Sequence, residues 1–567
     1  MGNRISSSKN PNNSIIDTSF KLPSPLPTWA QQGKGFASGT IDLGGLEVRQ
    51  ISSFNKVWAT YEGGPQNLGA SFFDPSEIPE GFFMLGSYTQ PNNRPLNGWV
   101  LVGKDTTEDH KADRALKKPT SYALLWSSES LKIKQDGFGY FWLPMAPVGY
   151  KAVGIVVTNS SQEPSLEKTR CVRSDLTDQC ETDSWIWGPA KRRPAKVFNV
   201  FSLRPSNRRT KATGVCVGTF MAQCRNVYPT SLACLKNVAS ILSCMPEGDQ
   251  IEAIFQEYSP LIYLHPREEY LPSSVTWYFN NGAMLYDKKG SKRRPIEAPG
   301  SNLPQGGSKN PDDGAYWLDL PKEKSVEERI KKGELQEAKV YLHIKPMLGG
   351  TFTDIAVWVF FPFNGPATID CCKIKKLSLR RNGEHVGDWE HVTLRVSNFN
   401  GELWSVYFSQ HSKGYWLNAS ELEYYNGNKV VAYASLHGHA MYSKPGQILQ
   451  GCGGIRSSDL TAKSCMFLDT GARFLVVAAD DLGMNIKEPS PWLNFSGKWG
   501  PKISYCKKVE AIIKCFKCIP KEVFGEEGPV GPKMKPNWDG DEVGNQNAKE
   551  RNKKEELNIR KKKTVKK

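Results

Sequence analysis

The residues best suited to chemistry stand in one short run, Gly383-Glu-His385-Val-Gly-Asp388-Trp389-Glu390-His391-Val-Thr-Leu-Arg395. Two carboxylates and an imidazole fall within six residues, a donor set that suits a hard divalent cation such as Ca²⁺, Mg²⁺ or Mn²⁺. Zinc is less well served, since it takes three or four His/Cys ligands in tight geometry. In an extended strand Asp388 and Glu390 project from one face, and Trp389 and His391 from the other. Gly387 lets the chain bend so that His385 swings toward the carboxylates. A second pair, His437-Gly-His439, ends the apolar run Val430-Val-Ala-Tyr-Ala, with both rings expected on one side. If His437 or His439 joined His385 and Asp388 around a metal, hydrolysis becomes arguable, with Glu390 taking a proton from bound water. No complete metallohydrolase signature such as HExxH accompanies them. The same patch equally reads as a hydrogen-bonded network at a strand end that holds no ion.

The elements that must position these groups read as strands. Seven of the eight histidines fall between 265 and 439, in a region of short Val-, Thr- and aromatic-rich runs that favour strand over helix. The most apolar run, Ile355-Ala-Val-Trp-Val-Phe-Phe361, is strand length and is bounded by Asp354 and Pro362, so it predicts a buried strand. One amphipathic helix, about 249–258, opens the region. We therefore expect a β-sandwich domain over 246–522.

Upstream, 36–245 carries an internal repeat. One copy is Phe73-x-Pro75-x-x-x-Pro79-x-Gly81-Phe82-x-x-Leu85-Gly86, and a second is Trp142-x-Pro144-x-x-Pro147-x-Gly149-Tyr150-x-x-Val153-Gly154. A degenerate third runs from Phe201 and Pro205 to Gly214 and Gly218. Gly81 and Gly149 supply the φ that the next aromatic needs, and Gly86 and Gly154 open the following turn. Three sheet-forming repeats close around an axis and leave few free edges. The expectation is a mainly β chain: a three-repeat β-prism-like domain followed by the sandwich. Lys191, Arg192, Arg193, Arg204, Arg208, Arg209 and Lys211 offer a basic face for an anionic membrane surface, or simply a solvated one.

The ends carry the remaining signals. Met1-Gly2-x-x-x-Ser6 fits N-myristoylation at Gly2, on an Asn/Ser-rich segment suited to a flexible acylated arm over 1–35. One myristoyl chain gives a membrane association constant of only about 10⁴ M⁻¹, so a second attachment is needed. The run 549–567 holds ten Lys/Arg against three Glu, Lys561, Lys562 and Lys563 among them. Each such residue near an anionic leaflet adds about 1 kcal/mol. Residues 523–567 are expected to be a disordered basic tail. The formal charge of +16 comes with no nucleic-acid recognition fold, and nucleic acid is not expected as a partner. No run reaches the ~18 apolar residues of a spanning helix. The amino end lacks a secretory core, so the thirteen cysteines are expected to be reduced thiols. Cys515-Phe-Lys-Cys518 is a lone CxxC without a second pair at zinc spacing.

Three resemblances follow. The repeat resembles the β-prism domain of an ESCRT-I subunit and related trafficking proteins, which implies a module that touches acidic membranes. His385-x-x-Asp388-Trp389-Glu390-His391 looks like the GHRHDWE heptapeptide of necrosis- and ethylene-inducing-peptide-like toxins, and Phe352–Asn364 is similar to the strand before it. That likeness implies a β-sandwich with His385, Asp388 and Glu390 at metal-binding positions. A further carboxylate of that family is Asn364 here, which keeps an oxygen donor and loses the charge. Val386 and Gly387 replace its basic and second His residues, so toxin activity is not implied.

Over about 20–540 the chain resembles the plant members of the vacuolar protein sorting-associated protein 62 family. The resemblance rests on Leu22-Pro-Ser-Pro-Leu-Pro-Thr-Trp29, Gln90-Pro-Asn-Asn-Arg-Pro95, Cys171-Val-Arg-Ser-Asp-Leu-Thr-Asp178, Gly349-Gly-Thr-Phe-Thr-Asp354, Tyr407-Phe-Ser-Gln-His411 and Gly525-Glu-Glu-Gly-Pro529. Its name implies vacuolar sorting, and with the acylatable end and basic tail the expectation is a non-enzymatic peripheral membrane protein of endosomal or vacuolar trafficking. Such a protein would lie on the cytoplasmic side of an endosomal, vacuolar or plasma membrane and meet trafficking partner proteins. A metal-dependent hydrolase and a lectin-like or pore-forming relative are the alternatives.

Overall fold

Three times between residues 46 and 236 the chain runs the same six-strand circuit. The first circuit is Leu46–Ile51, Phe54–Thr60, Ala70–Pro75, Phe83–Met84, Tyr88–Pro91 and Val100–Asp105. The second is Leu116–Lys117, Ser121–Ser127, Tyr140–Met145, Tyr150–Lys151, Val156–Thr158 and Cys171–Arg173. The third is Thr177–Asp178, Cys180–Trp187, Phe198–Pro205, Gly214–Val215, Phe220–Cys224 and Cys234–Lys236. In each, the second, third and fifth strands form an antiparallel sheet around the third; the first, fourth and sixth form another around the sixth. This is the three-repeat, prism-like arrangement that the sequence predicts. The computed structural model describes residues 15–29, 35–107, 113–189, 198–224, 232–287, 290–305, 315–366, 368–371, 374–378, 383–411, 413–452, 455–479, 490–503 and 528–542.

Aromatic residues on the central strands meet inside the prism. Trp58 and Trp187 lie edge to face at 5.7 Å, and Phe72 and Phe141 at 5.0 Å. Such pairs contribute roughly 0.5–1.5 kcal/mol each beyond the area they bury. Gly81 and Gly149 take φ of 80° and 83°, the left-handed conformation expected of them. Gly86 and Gly154 serve differently from the sequence expectation. A Cβ on Gly86 would lie 2.8 Å from the Gly154 Cα, and one on Gly154 would lie 2.8 Å from the Thr219 Cγ2. Repeat backbones touch here, and the residues are glycine because no side chain fits.

Helix Gly248–Tyr258 opens the second domain, close to its expected span. A six-stranded sheet follows the order Lys413–Asn418, Leu403–Gln410, His385–Ser397, Phe352–Asn364, Val340–Met347, Phe474–Ala478. A smaller sheet centred on Lys429–Ala434 and Leu261–Tyr263 packs on one face of it. Helices Val275–Asn280 and Lys324–Lys332, with Trp492, Trp499 and Trp538, cover the other. Phe352–Asn364 is buried along its whole length, as its unbroken apolar run requires.

The domains are joined by packing and polar contacts. Trp99 of the first meets Phe352 at 5.4 Å and Trp404 at 6.4 Å in the second. The Asn237 side-chain amide donates to the Gly349 carbonyl at 2.7 Å.

The sequence boundaries of both ends need correction. Residues 15–29 of the expected arm are packed: Ile16 is buried with Phe73 and Tyr88, and the Trp29 indole donates to the Asn400 carbonyl at 2.8 Å. Residues 528–542 of the expected tail are likewise folded, with Trp538 and Glu542 buried. Both segments bury a tryptophan, Trp29 and Trp538, an apolar anchor that their polar and charged neighbours conceal in the sequence. Gly2, Lys191, Arg192, Arg193, Lys561, Lys562, Lys563 and the CxxC lie outside the described residues. Among described residues, no helix is long and apolar enough to cross a membrane. Cys171, Cys180, Cys216, Cys224, Cys234, Cys244 and Cys465 are free thiols.

Candidate functional site

The motif strand pairs in register with its neighbour, Phe361 opposite Asp388 and Asn364 opposite His385. Alternation sends Asp388 and Glu390 to the face of the smaller sheet, and Trp389 and His391 to the other, as expected. Two separate polar networks result.

On the first face, the Asp388 carboxylate accepts from His439 Nδ1 at 2.9 Å, and the other nitrogen of that ring lies 3.9 Å from Glu268 Oε1. Glu268 also accepts from the backbone N–H of His437 at 2.6 Å and of Tyr270 at 3.0 Å. His439 is fully buried and stacks on Phe361 at 3.8 Å. Glu390 accepts from the Ser409 hydroxyl. Beside it His411 Nε2 meets Asp459 at 3.1 Å, and Asp459 also accepts from Tyr442 at 2.5 Å.

The charges answer to this packing. Burial opposes the charge on His439, but Asp388 and Glu268 outweigh it and lift its pKa to about 9. Burial likewise opposes ionisation of Asp388, yet the His439 hydrogen bond and the charges of His385 and His439 hold it below the usual range. Glu390 is pushed up to about 7 by burial and by the charge on Asp388. Buried acids are thus matched by buried histidines with raised pKa values, His439 beside Asp388 and Glu268 and His411 beside Asp459.

His385 is half-buried at the strand end, its Nδ1 sharing a 2.7 Å hydrogen bond with the Gly387 carbonyl. Gly387 has φ of 67°, the bend anticipated for it. The Asn364 side-chain amide donates to the Gly383 and Gly365 carbonyls at 2.7 and 3.0 Å. His437 and His439 do not share a side. Both residues have positive φ, 67° and 52°, so this is a turn and not a strand end. The turn carries the His437 ring away, edge-on to Tyr270 at 5.7 Å. As a cation site the cluster has suitable oxygen donors, Asp388, Glu390 and Asn364, with His385 beside them. Among described residues, however, no three His, Cys, Asp or Glu stand together as an ion would need.

On the opposite face His391 Nε2 meets Glu542 at 3.0 Å, and the Thr393 hydroxyl donates to Glu542 at 2.6 Å. Lys345, fully buried, lies 3.5 Å from Glu542. Arg395 grips Asp354 with two hydrogen bonds of 2.8 Å and reaches Asp541 at 2.8 Å. Glu268, His411, Asp459, Lys345 and Glu542 carry no local signal in the sequence; only the fold brings them here.

Two arginines of the proposed basic face have acidic partners. Arg204 pairs with Glu181 at 2.8 Å and Asp183 at 2.7 Å, and Arg208 with Asp541 at 2.6 Å. Strand pairing sets Glu181 directly opposite Arg204, which neutralises the charge that the sequence counts as free. Arg209 is exposed.

Among solved structures, the chain is similar to GNIP1Aa from Chromobacterium piscinae (17% identity, 38% of this chain and 41% of that one, TM-score 0.29). It is also similar to Necrosis and Ethylene inducing Protein 2 from the causal agent of cocoa's Witches Broom disease. That likeness has 11% identity over 40% of this chain and 76% of the other, at a TM-score of 0.20. The chain spans less than half the length of the first of these, and at such TM-scores neither carries an argument. No curated protein matches. The model of vacuolar protein sorting-associated protein 62 matches residues 16–542, from the packed Ile16 to the buried Glu542, and this chain therefore belongs to that family, whose name ties it to vacuolar protein sorting.

Proposed function

We propose that this protein is a non-catalytic peripheral membrane component of vacuolar or endosomal sorting, holding lipid or partner proteins through its two β domains. The observation that carries the non-catalytic part is the burial of the motif strand. Asp388, Glu390, His391 and His439 are all buried, and each hydrogen-bonds another side chain of this protein. A general base must reach a substrate proton, and these groups are already committed to internal partners. Support for the membrane part comes from the sequence: an acylatable Gly2 at one end and ten Lys/Arg within 549–567 at the other. Purified protein is expected to turn over neither ester nor phosphate substrates with added Ca²⁺, Mg²⁺, Mn²⁺ or Zn²⁺. Turnover that disappears in Glu390→Gln overturns the reading in favour of the hydrolase.

A second reading is favoured by two acids on one strand face, Asp388 and Glu390, where burial and then the Asp388 charge push Glu390 up to about 7. A divalent cation would relieve that repulsion, held by Asp388, Glu390 and Asn364 with His385 beside them, once Asp388 turns from His439. The residue that stays out is His437. Elemental analysis of wild type beside Asp388→Ala/Glu390→Ala tests it: stoichiometric Ca²⁺, Mg²⁺ or Mn²⁺ lost in the double variant supports a cation-dependent recognition site. Metal-free wild type after titration rejects it.

A further inference from the structure

Residues 528–542 lie against both domains, and the contacts that hold them are those of a ligand more than of a sheet or helix. Among the described residues their backbone pairs at isolated bridges, Val530 with Lys498 and Gly540 with Arg209, and makes one short turn at Pro532–Met534. Side chains do the rest. Trp538 is buried and stacks on His343 at 3.8 Å. The Lys345 ammonium, fully buried on the sheet, donates to the Asn537 and Gly540 carbonyls at 3.1 and 2.9 Å. Glu542 takes hydrogen bonds from His391, Thr393 and Asn537.

Asp541 is the link between domains. One oxygen accepts from Arg395 of the sandwich at 2.8 Å, the other from Arg208 of the prism at 2.6 Å. The groove therefore supplies Lys345, Arg395, Arg208 and His391 to two adjacent carboxylates, and the His343 ring to the indole that precedes them. Emptying it would leave Lys345 buried without its anion, an arrangement that costs several kcal/mol, so the vacated groove calls for another acid in the same place.

We propose that residues 528–542 are an intramolecular ligand: an acidic, tryptophan-anchored peptide that occupies a groove lined by Lys345, Arg395 and Arg208 and clasps the two domains together. The groove is thus a binding site for a peptide of the form Trp-Asp-Gly-Asp-Glu, filled here by the chain itself. An acidic peptide of that chemistry competes for it, and release of the clasp removes the Asp541 bridge between the prism and the sandwich, leaving Arg208 to Glu181.

The test keeps the wild-type groove throughout. A protease site is placed within 504–527 of the full chain, the folded protein is cleaved, and a fluorescent synthetic peptide of residues 528–542 is added. The expected result is that the cleaved segment stays bound by size exclusion and then exchanges with the labelled peptide. A peptide carrying Asp541→Asn and Glu542→Gln should compete at least about a hundredfold more weakly, as befits loss of buried charge partners. No exchange at peptide excess would show the segment to be an inseparable part of the fold and overturn the proposal. Equal competition by the neutralised peptide overturns it too, because the carboxylates would then not be what the groove recognises.

Discussion

Single residues decide the electrostatics of this protein, because its most charged contacts are buried. His411 is a clear case. Burial opposes its charge, but Asp459, with Glu390 and Asp388 behind it, lifts its pKa to about 9. A folded-state pKa above the ordinary 6.5 means stability that is fully present below pH 6.5 and lost as pH rises through 9. The contribution is on the order of 3 kcal/mol. Urea denaturation at pH 6.5 and 9.5 should show that loss in wild type together with the one from His439, whose pKa is also about 9, and His411→Gln should remove only its own share of it. Lys345 gives a second prediction. Replacing it with Met leaves Glu542 short of a buried partner and should cost about 3–5 kcal/mol. Adding Glu542→Gln should recover part of that loss, whereas strictly additive effects would mean that the two groups do not interact.

At the scale of elements, the repeat interface makes the sharpest demand. Gly154→Ala sets a Cβ 2.8–2.9 Å from Thr219, Gly86 and Leu85, and overpacking of this kind costs about 1–3 kcal/mol. Gly438→Ala, whose Cβ would meet nothing nearer than 3.9 Å, should stay within about 0.5 kcal/mol of wild type. Thermal melts of the two variants side by side check this. Much of the architecture was legible in the sequence for local reasons. Prolines and glycines at repeated offsets announced three copies, an unbroken apolar run announced a strand buried on both faces, and alternation assigned Asp388 and His391 to opposite faces. The rest depends on contacts distant in sequence. Nothing near Arg204 tells that strand pairing will set Glu181 opposite it. Nothing near Glu542 tells that a charged run near the end will fill a groove. The His437–His439 pair misled for the opposite reason: a strand-like run before it hid a turn with two left-handed residues.

Across the whole molecule, two β domains share an interface held by Trp99, Asn237 and the Asp541 bridge, and the chain belongs to a family tied by name to vacuolar protein sorting. The proposed membrane attachment depends on Gly2 and on 549–567, which lie outside the described residues. A single acyl chain binds weakly and three engaged basic residues add roughly two orders of magnitude, so each signal alone is insufficient and the pair suffices. The direct measurement is recovery of full-length protein in the membrane fraction of myristoylation-competent cells, wild type beside Gly2→Ala. Wild type is expected with the membranes and Gly2→Ala in the soluble fraction; wild type in the soluble fraction, or a Gly2→Ala variant that stays with the membranes, would contradict acyl-dependent attachment.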